Sequence, residues 1–287
     1  MSKKILVATD FSELGRAAIT AALELARALD AKLDVLHVFT LRELPDASGY
    51  TAAQMQQHEA NARADLQGVV RPIAAEGRLG EGLLQFGDAA AHVLRSAAER
   101  SADLIVLGSH GRRGLSRIVL GSTAEEVVRG AEVPVLVVKQ GRAETPLRAL
   151  GVAVDLGPES ERVVTPGIEL AQALGGRAHL LHAYAPEVVP TEFGSGTVPL
   201  DWLRRRARES LLDLASPYQG SASLGECAVE LGDPTTVILE LAESLNVDLL
   251  VLGTEAKRGL TRLVVGSVAE SVLRQAPIPV LIIKHRR

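Results

Sequence analysis

"DLIVLGSHGRRGLSRIVLGSTAEEVV", residues 103–128, carries three kinds of local structure in succession. Asp103 is followed by four consecutive apolar residues, Leu104 to Leu107, and an unbroken apolar run reads as a strand buried on both faces. Four glycines (Gly108, Gly111, Gly114, Gly121) and three arginines (Arg112, Arg113, Arg117) come next, with no acidic residue among them. From Ser122 the apolar residues recur three and four apart, the spacing of a helix with one buried face. A strand, a glycine-rich exit and a helix in that order form half of a β–α–β unit.

Working outward, "VPVLVV" (133–138) supplies the next strand, and "KILVAT" (4–9), "LDVLHVF" (33–39) and "GLLQFG" (82–87) precede the quoted stretch. Between them lie helical patterns from about Ser12 to Leu29, within 52–76, and from Asp88. Strands that alternate with helices build a doubly wound parallel sheet. In such sheets ligands sit outside the carboxyl ends of the strands, where the strand order reverses. The segments after the first and fourth strands therefore matter most. They hold Asp10 and the glycine-rich loop.

The whole pattern is written twice. With a shift of 145 residues Asp10 falls on Asp155, His37 on His182, Gly87 on Gly232, Asp103 on Asp248, Gly121 on Gly266 and Pro134 on Pro279, without a gap. More than half of positions 103–139 are identical to 248–284. The chain is a tandem duplication. The short polar stretch "QGRAETPL" (140–147) reads as its linker, giving domains at 1–142 and 146–287, each with a five-stranded parallel sheet.

The totals bound the function. At 287 residues, 47% hydrophobic and 23% charged, the chain has the composition of a soluble globular protein. A net charge of −4 argues against a general nucleic-acid partner. A single cysteine, Cys227, and no apolar run of leader or membrane-span length imply a cytoplasmic protein without a membrane partner. Cys227 reads as a buried, inert thiol. No G-x-x-x-x-G-K-[ST], G-x-G-x-x-G after a strand, or G-x-S-x-G elbow occurs. His179-x2-His182 places its two rings on opposite strand faces, which suits structure better than metal.

Glycines that let backbone N–H groups turn inward, a helix N-terminus, and three uncompensated arginines fit a polyphosphate. Blander readings stand beside this one. The glycines serve equally well as turns, the arginines as solvated charges, and Asp10 as a helix cap. Ser122-x-x-Glu125 and Ser267-x-x-Glu270 read as capping boxes.

The spacing Gly108-x2-Gly111-x9-Gly121-Ser122, with "ILVATDFS" (5–12) at the start, resembles the universal stress protein family, and the full chain resembles its tandem form. Resemblance to the ATP-binding branch implies that Asp10 holds the adenosine and the Val38 backbone meets adenine. It implies that Gly108, Gly111 and Gly121 shape the phosphate loop, that Ser122 and Thr123 contact phosphate oxygens, and that Mg²⁺ accompanies the ATP. In the second half Asp155, Gly253, Gly266 and Ser267 persist. Glu255 replaces His110, Ala256 the middle glycine and Val268 Thr123, so the second site is expected to bind more weakly. The expected function is regulatory, ATP binding being read by an unidentified protein partner. A slow ATPase or nucleotidyl transferase, and a scaffold with vestigial sites, are the alternatives.

The last strand of each half starts next to a proline and is apolar throughout, as in "VPVLVV" and "IPVLII" (278–283). An exposed edge of that kind invites association. The resemblance implies that subunits pair through this strand, so the two halves are expected to form an internal pseudo-dimer. A homodimer through another surface stays compatible with this. Residues 1–145 expressed alone should dimerise or aggregate; light scattering that finds a soluble monomer at high concentration refutes the pairing.

Overall fold

A computed structural model describes residues 3–39, 52–110, 120–139, 146–185, 188–191, 194–197, 199–254 and 266–284. The chain divides into two compact units between Thr145 and Pro146.

The first unit runs β1 (Lys4–Thr9), α1 (Glu13–Ala28), β2 (Lys32–Phe39), α2 (Ala52–Ala75), β3 (Leu79–Phe86), α3 (Ala89–Glu99), β4 (Leu104–Gly108), α4 (Ser122–Gly130) and β5 (Val135–Val138). Its strands are parallel in the order β3-β2-β1-β4-β5. The order reverses between β1 and β4, as the sequence implied. Ile5, Leu6 and Val7 of β1 and Ile105 and Val106 of β4 are buried, because helices cover both faces of the sheet. α1 lays Ala17, Ala18, Ala21, Ala22 and Leu25 inward, and these small side chains allow close approach to the strands.

The second unit repeats the plan with β6 (Ala149–Ala153), α5 (Glu161–Leu174) and β7 (Arg177–Tyr184). A short antiparallel hairpin follows, β8 (Val188–Thr191) and β9 (Gly194–Thr197), then α6 (Leu200–Ala215) and a 3₁₀ turn at Ser216–Tyr218. The unit closes with β10 (Leu224–Leu231), α7 (Pro234–Ser244), β11 (Leu249–Gly253), α8 (Ser267–Gln275) and β12 (Val280–Ile283). Its parallel order, β10-β7-β6-β11-β12, is the same topology. The β8–β9 hairpin escapes a reading by strand propensity, since it contains a proline and two glycines in eight residues.

β3 starts three residues earlier than its apolar run suggests. Leu33 pairs with Leu79 but Val35 pairs with Gly82, so Gly80 and Glu81 bulge opposite the single residue Asp34. The second unit bulges at the same place, Gly225 and Glu226 lying opposite His179. Both bulges make room for a polar side chain near the amino end of the sheet, away from the switch point. Asp34 is buried against Arg100, whose Nε donates to Oδ2 at 2.5 Å, and Glu81 meets the same guanidinium at 2.8 Å. His179 instead accepts the Glu226 amide at Nδ1, 3.1 Å away. Its structural role agrees with the sequence reading.

Candidate functional site

At the carboxyl end of β1, Asp10 Oδ1 accepts the Ser12 hydroxyl at 2.5 Å and the Ser12 amide at 3.1 Å. Ser12 Oγ in turn accepts the Gly15 amide at 3.1 Å and caps α1. Ser12 is therefore the cap, and Asp10 orients it rather than capping the helix itself. Gly15 permits this: a Cβ there would fall 2.6 Å from Asp10 Oδ1 and 2.7 Å from Thr9 Oγ1. In the second unit Asp155 Oδ1 accepts the Gly157 amide at 2.9 Å and Ser160 Oγ at 3.0 Å. Both aspartates stand at the switch point.

The residue after each aspartate is left-handed without being glycine: Phe11 has φ 60° and Leu156 φ 58°. Such a conformation costs about 1–2 kcal/mol per residue and persists where surroundings enforce it, often at functional sites. Part of that enforcement comes from a histidine in the next strand. His37 Nδ1 donates to the Thr9 carbonyl at 2.8 Å, and His182 Nδ1 to the Val154 carbonyl at 2.9 Å. The Phe11 and His37 rings lie 4.3 Å apart. Burial pulls His182 below the ordinary imidazole range, with the Val154 carbonyl and Asp155 opposing it. From sequence, His37 stands out only as a repeat marker, while His182 reads as a structural histidine beside His179. A histidine at the same place in both copies of the second strand is the available signal.

Val38 lies one position beyond the last β1–β2 pair, Thr9 with His37. Carbonyls along a parallel strand alternate between the two neighbours. Phe39 O accepts the Gly87 amide on the β3 side at 3.1 Å, so the Val38 carbonyl is directed toward the β1 side, past the point where β1 ends. Its backbone edge thus borders the same crevice as Asp10.

The glycines after β4 have separate roles. A Cβ on Gly108 would lie 3.2 Å from Leu14 Cβ and 3.3 Å from the Leu14 carbonyl oxygen, so this glycine allows α1 to press against β4. Gly121 donates to the Ser109 carbonyl at 2.8 Å, and a Cβ there would stand 3.1 Å from that same oxygen. Gly111, with Gly114 and the three loop arginines, lies outside the described residues, as do Glu255 and Ala256. Gly253 ends β11, pairing with Ile283.

The expected capping boxes are corrected by one residue. The N-cap of α4 is Gly121 and that of α8 is Gly266, and neither has a side-chain cap bond. Ser122 and Ser267 are the first helical residues. Glu125 pairs with Arg129 at 2.7 Å and Glu270 with Arg274 at 3.1 Å, one turn down each helix. At Gly121 a Cβ would stand 3.1 Å from the Ser109 carbonyl oxygen, so the returning strand exit leaves tight room for a larger residue at this cap. The outcome is a helix start whose amides, at Ser122 and Thr123, have no capping oxygen from an N-cap side chain. Positive ends of this kind suit anionic oxygens.

Ser109 and His110 complete this edge. Ser109 is buried, and its hydroxyl meets His110 Nδ1 at 3.0 Å. Burial, and secondarily the Lys139 charge, hold His110 below the usual imidazole range. Lys139 and Lys284 occupy equivalent buried positions just past β5 and β12; burial lowers Lys284 to about 8. Cys227 is half-buried and its thiol is pushed up by burial, in line with an inert thiol. Among the described residues no group of three or more His, Cys, Asp or Glu is arranged to hold a metal ion. No helix among them is long and apolar enough to cross a membrane.

Two segments, residues 1–139 and 146–284, match the model of the universal stress protein family. A universal stress protein of Mycolicibacterium smegmatis is 28% identical over 98% of this chain and 97% of its own length. Universal stress protein MJ0531 of Methanocaldococcus jannaschii is 33% identical over 50% of this chain and 85% of its own. Among solved structures, a universal stress protein from Archaeoglobus fulgidus superposes over the full length of both chains with a TM-score of 0.75 at 21% identity, a likeness of fold.

Proposed function

The chain belongs to the universal stress protein family, and from that premise we propose that it is a cytoplasmic, ATP-binding regulatory protein. The observation that carries this reading is the bare start of α4 at Gly121, placed after β4 beside the Asp10 turn. In this reading Asp10 holds the ribose, the Val38 backbone edge meets adenine, and the Ser122 and Thr123 amides and hydroxyls receive phosphate. Gly121 keeps the phosphates close to backbone, and Gly111 contributes from the adjoining loop. The donor set is one of amides, hydroxyls and loop arginines, which fits a triphosphate carrying its own Mg²⁺ better than a metal held by side chains.

The second unit offers Asp155, Gly253, Gly266 and Ser267 in the same arrangement. It lacks the hydroxyl of Thr123, having Val268, and carries Glu255 where the first unit has His110. Weaker binding there follows from a lost donor and an added negative charge. A bound nucleotide fixes one state of the glycine-rich loops, and a protein partner reads that state. Mass spectrometry of the purified chain after denaturation should reveal co-purified ATP or AMP. A chain free of nucleotide that also takes up no MgATP in calorimetry refutes the reading.

A further inference from the structure

Helices α2 and α6 hold equivalent places in the two units, yet their outward faces are written differently. On α2 the polar side chains satisfy one another: Gln57 Nε2 donates to Asn61 Oδ1 at 2.9 Å, and Arg63 pairs with Glu59 at 2.9 Å. The shift of 145 residues turns the first pair into Trp202 and Arg206 and the second into Arg204 and Arg208. Arg206 lies over the Trp202 ring, 5.5 Å from its centroid. Arg204 and Arg208 are like charges one turn apart, which weakens a helix instead of supporting it. Gln67 becomes Leu212. A self-satisfied face has become one that needs something outside the helix.

α6 packs inward through Leu203, Ala207, Leu211 and Ala215. The helical period then sets Trp202, Arg205, Glu209 and Leu212 in one outward row, spaced three and four apart, and all four are exposed. Trp202 is 44% and Leu212 40% exposed, whereas no large apolar side chain described on α2 is comparably open. Asp201 and Arg205 stand four apart, as do Arg205 and Glu209. Among the described residues, even so, no charged side chain of α6 forms an ion pair.

The order of charges along the row selects the partner. A uniformly anionic surface, lipid or nucleic acid, would attract Arg205 and repel Glu209. The same row reversed is complementary at each position, because Trp202 and Leu212, and likewise Arg205 and Glu209, are centred on Ala207. Trp202 meets Leu212 of a second copy, Arg205 meets its Glu209, and the reverse contacts follow. A surface that complements its own reverse is what a two-fold interface requires. The flanks agree: Arg206 and Asp213 share one side of the row and Asp201 and Arg208 the other, so each side also offers opposite charges to a reversed copy.

We propose that α6 is a homodimer surface, pairing antiparallel with α6 of a second copy of this chain across a two-fold axis level with Ala207. One helix pair is smaller than a standard interface, so the dimer is reversible and disperses on dilution and at high salt.

The test uses the full chain in sedimentation velocity over a concentration series, with emission from Trp202, the sole tryptophan, as a second probe. The parent should pass reversibly from monomer to dimer while that emission moves to shorter wavelength. Trp202→Ala should weaken dimerisation by about tenfold or more. Arg205→Glu and Glu209→Arg should each weaken it by about a hundredfold or more, because the axis sets like charges together in two layers at once. An equimolar mixture of these two charge variants should dimerise again, since both layers then pair opposite charges; that restoration also shows each variant to be folded. A parent that stays monomeric at every concentration overturns the proposal. So does an assembly that Trp202→Ala and Arg205→Glu leave unchanged, or a mixture of the two charge variants that fails to associate.

Discussion

Gly121→Val should cost the first unit roughly a hundredfold or more in MgATP affinity, while the chain still folds. The substitution acts on geometry rather than by filling open ligand space. A Cβ at Gly121 already stands 3.1 Å from the Ser109 carbonyl oxygen, and valine adds two methyl groups beyond it. The Gly121 amide would have to give up its 2.8 Å bond to that same carbonyl, and the α4 start would swing away from the β4 exit. Overpacking of this kind costs about 1–3 kcal/mol, here spread over a loop junction at the sheet edge rather than the core. The phosphate donors proposed at Ser122 and Thr123 both hang on that junction, so one displacement removes several contacts together. Gly121→Ala should fall between parent and valine variant. Calorimetry should see the tighter component vanish and only the weaker site of the second unit remain. Unchanged affinity at the tighter site would remove the α4 start from the binding site.

Much of this arrangement was legible because of how the strands are written. Apolar runs at Leu104–Leu107 and Ile5–Ala8 have no polar alternation, so they had to be covered on both faces, and covering helices impose the parallel order. The switch point followed, and with it Asp10 and the glycine-rich loop. What the sequence concealed is geometry that turns on one residue. A Ser-x-x-Glu pattern fits an N-cap at Ser122 as well as one at Gly121, and the choice depends on the close return to Ser109, a tertiary contact. The left-handed Phe11 and Leu156 carry no composition signal, since neither is glycine or asparagine. The bulge at Gly80–Glu81 hid for the opposite reason: its residues are so polar and small that the strand was read as beginning after it.

Arg100→Ala should destabilise the first unit by about 3 kcal/mol or more, the usual consequence of removing one partner from a buried ion pair. The carboxylate of Asp34 is buried in the bulge, where a Cβ at Gly80 would collide with its Oδ1. Arg100 closes the site from the C-cap of α3 and is itself charge-reinforced, its guanidinium held further above its ordinary range chiefly by the bond to Asp34. The second unit shows that the bulge can be filled another way. There His179 replaces Asp34, Leu245 replaces Arg100 at the C-cap of α7, and the Glu226 amide donates to the His179 ring. Asp34→His combined with Arg100→Leu should therefore regain most of the stability that Arg100→Ala loses, with the Glu81 amide serving the new imidazole. Because a two-unit chain can unfold in more than one step, the denaturant transition of the first unit must be followed separately. The second unit's transition can be read from the fluorescence of Trp202, the sole tryptophan, which stands on α6. If the double variant proves as unstable as Arg100→Ala, the two bulges are not interchangeable solutions, and the backbone of each is fitted to its own side chain.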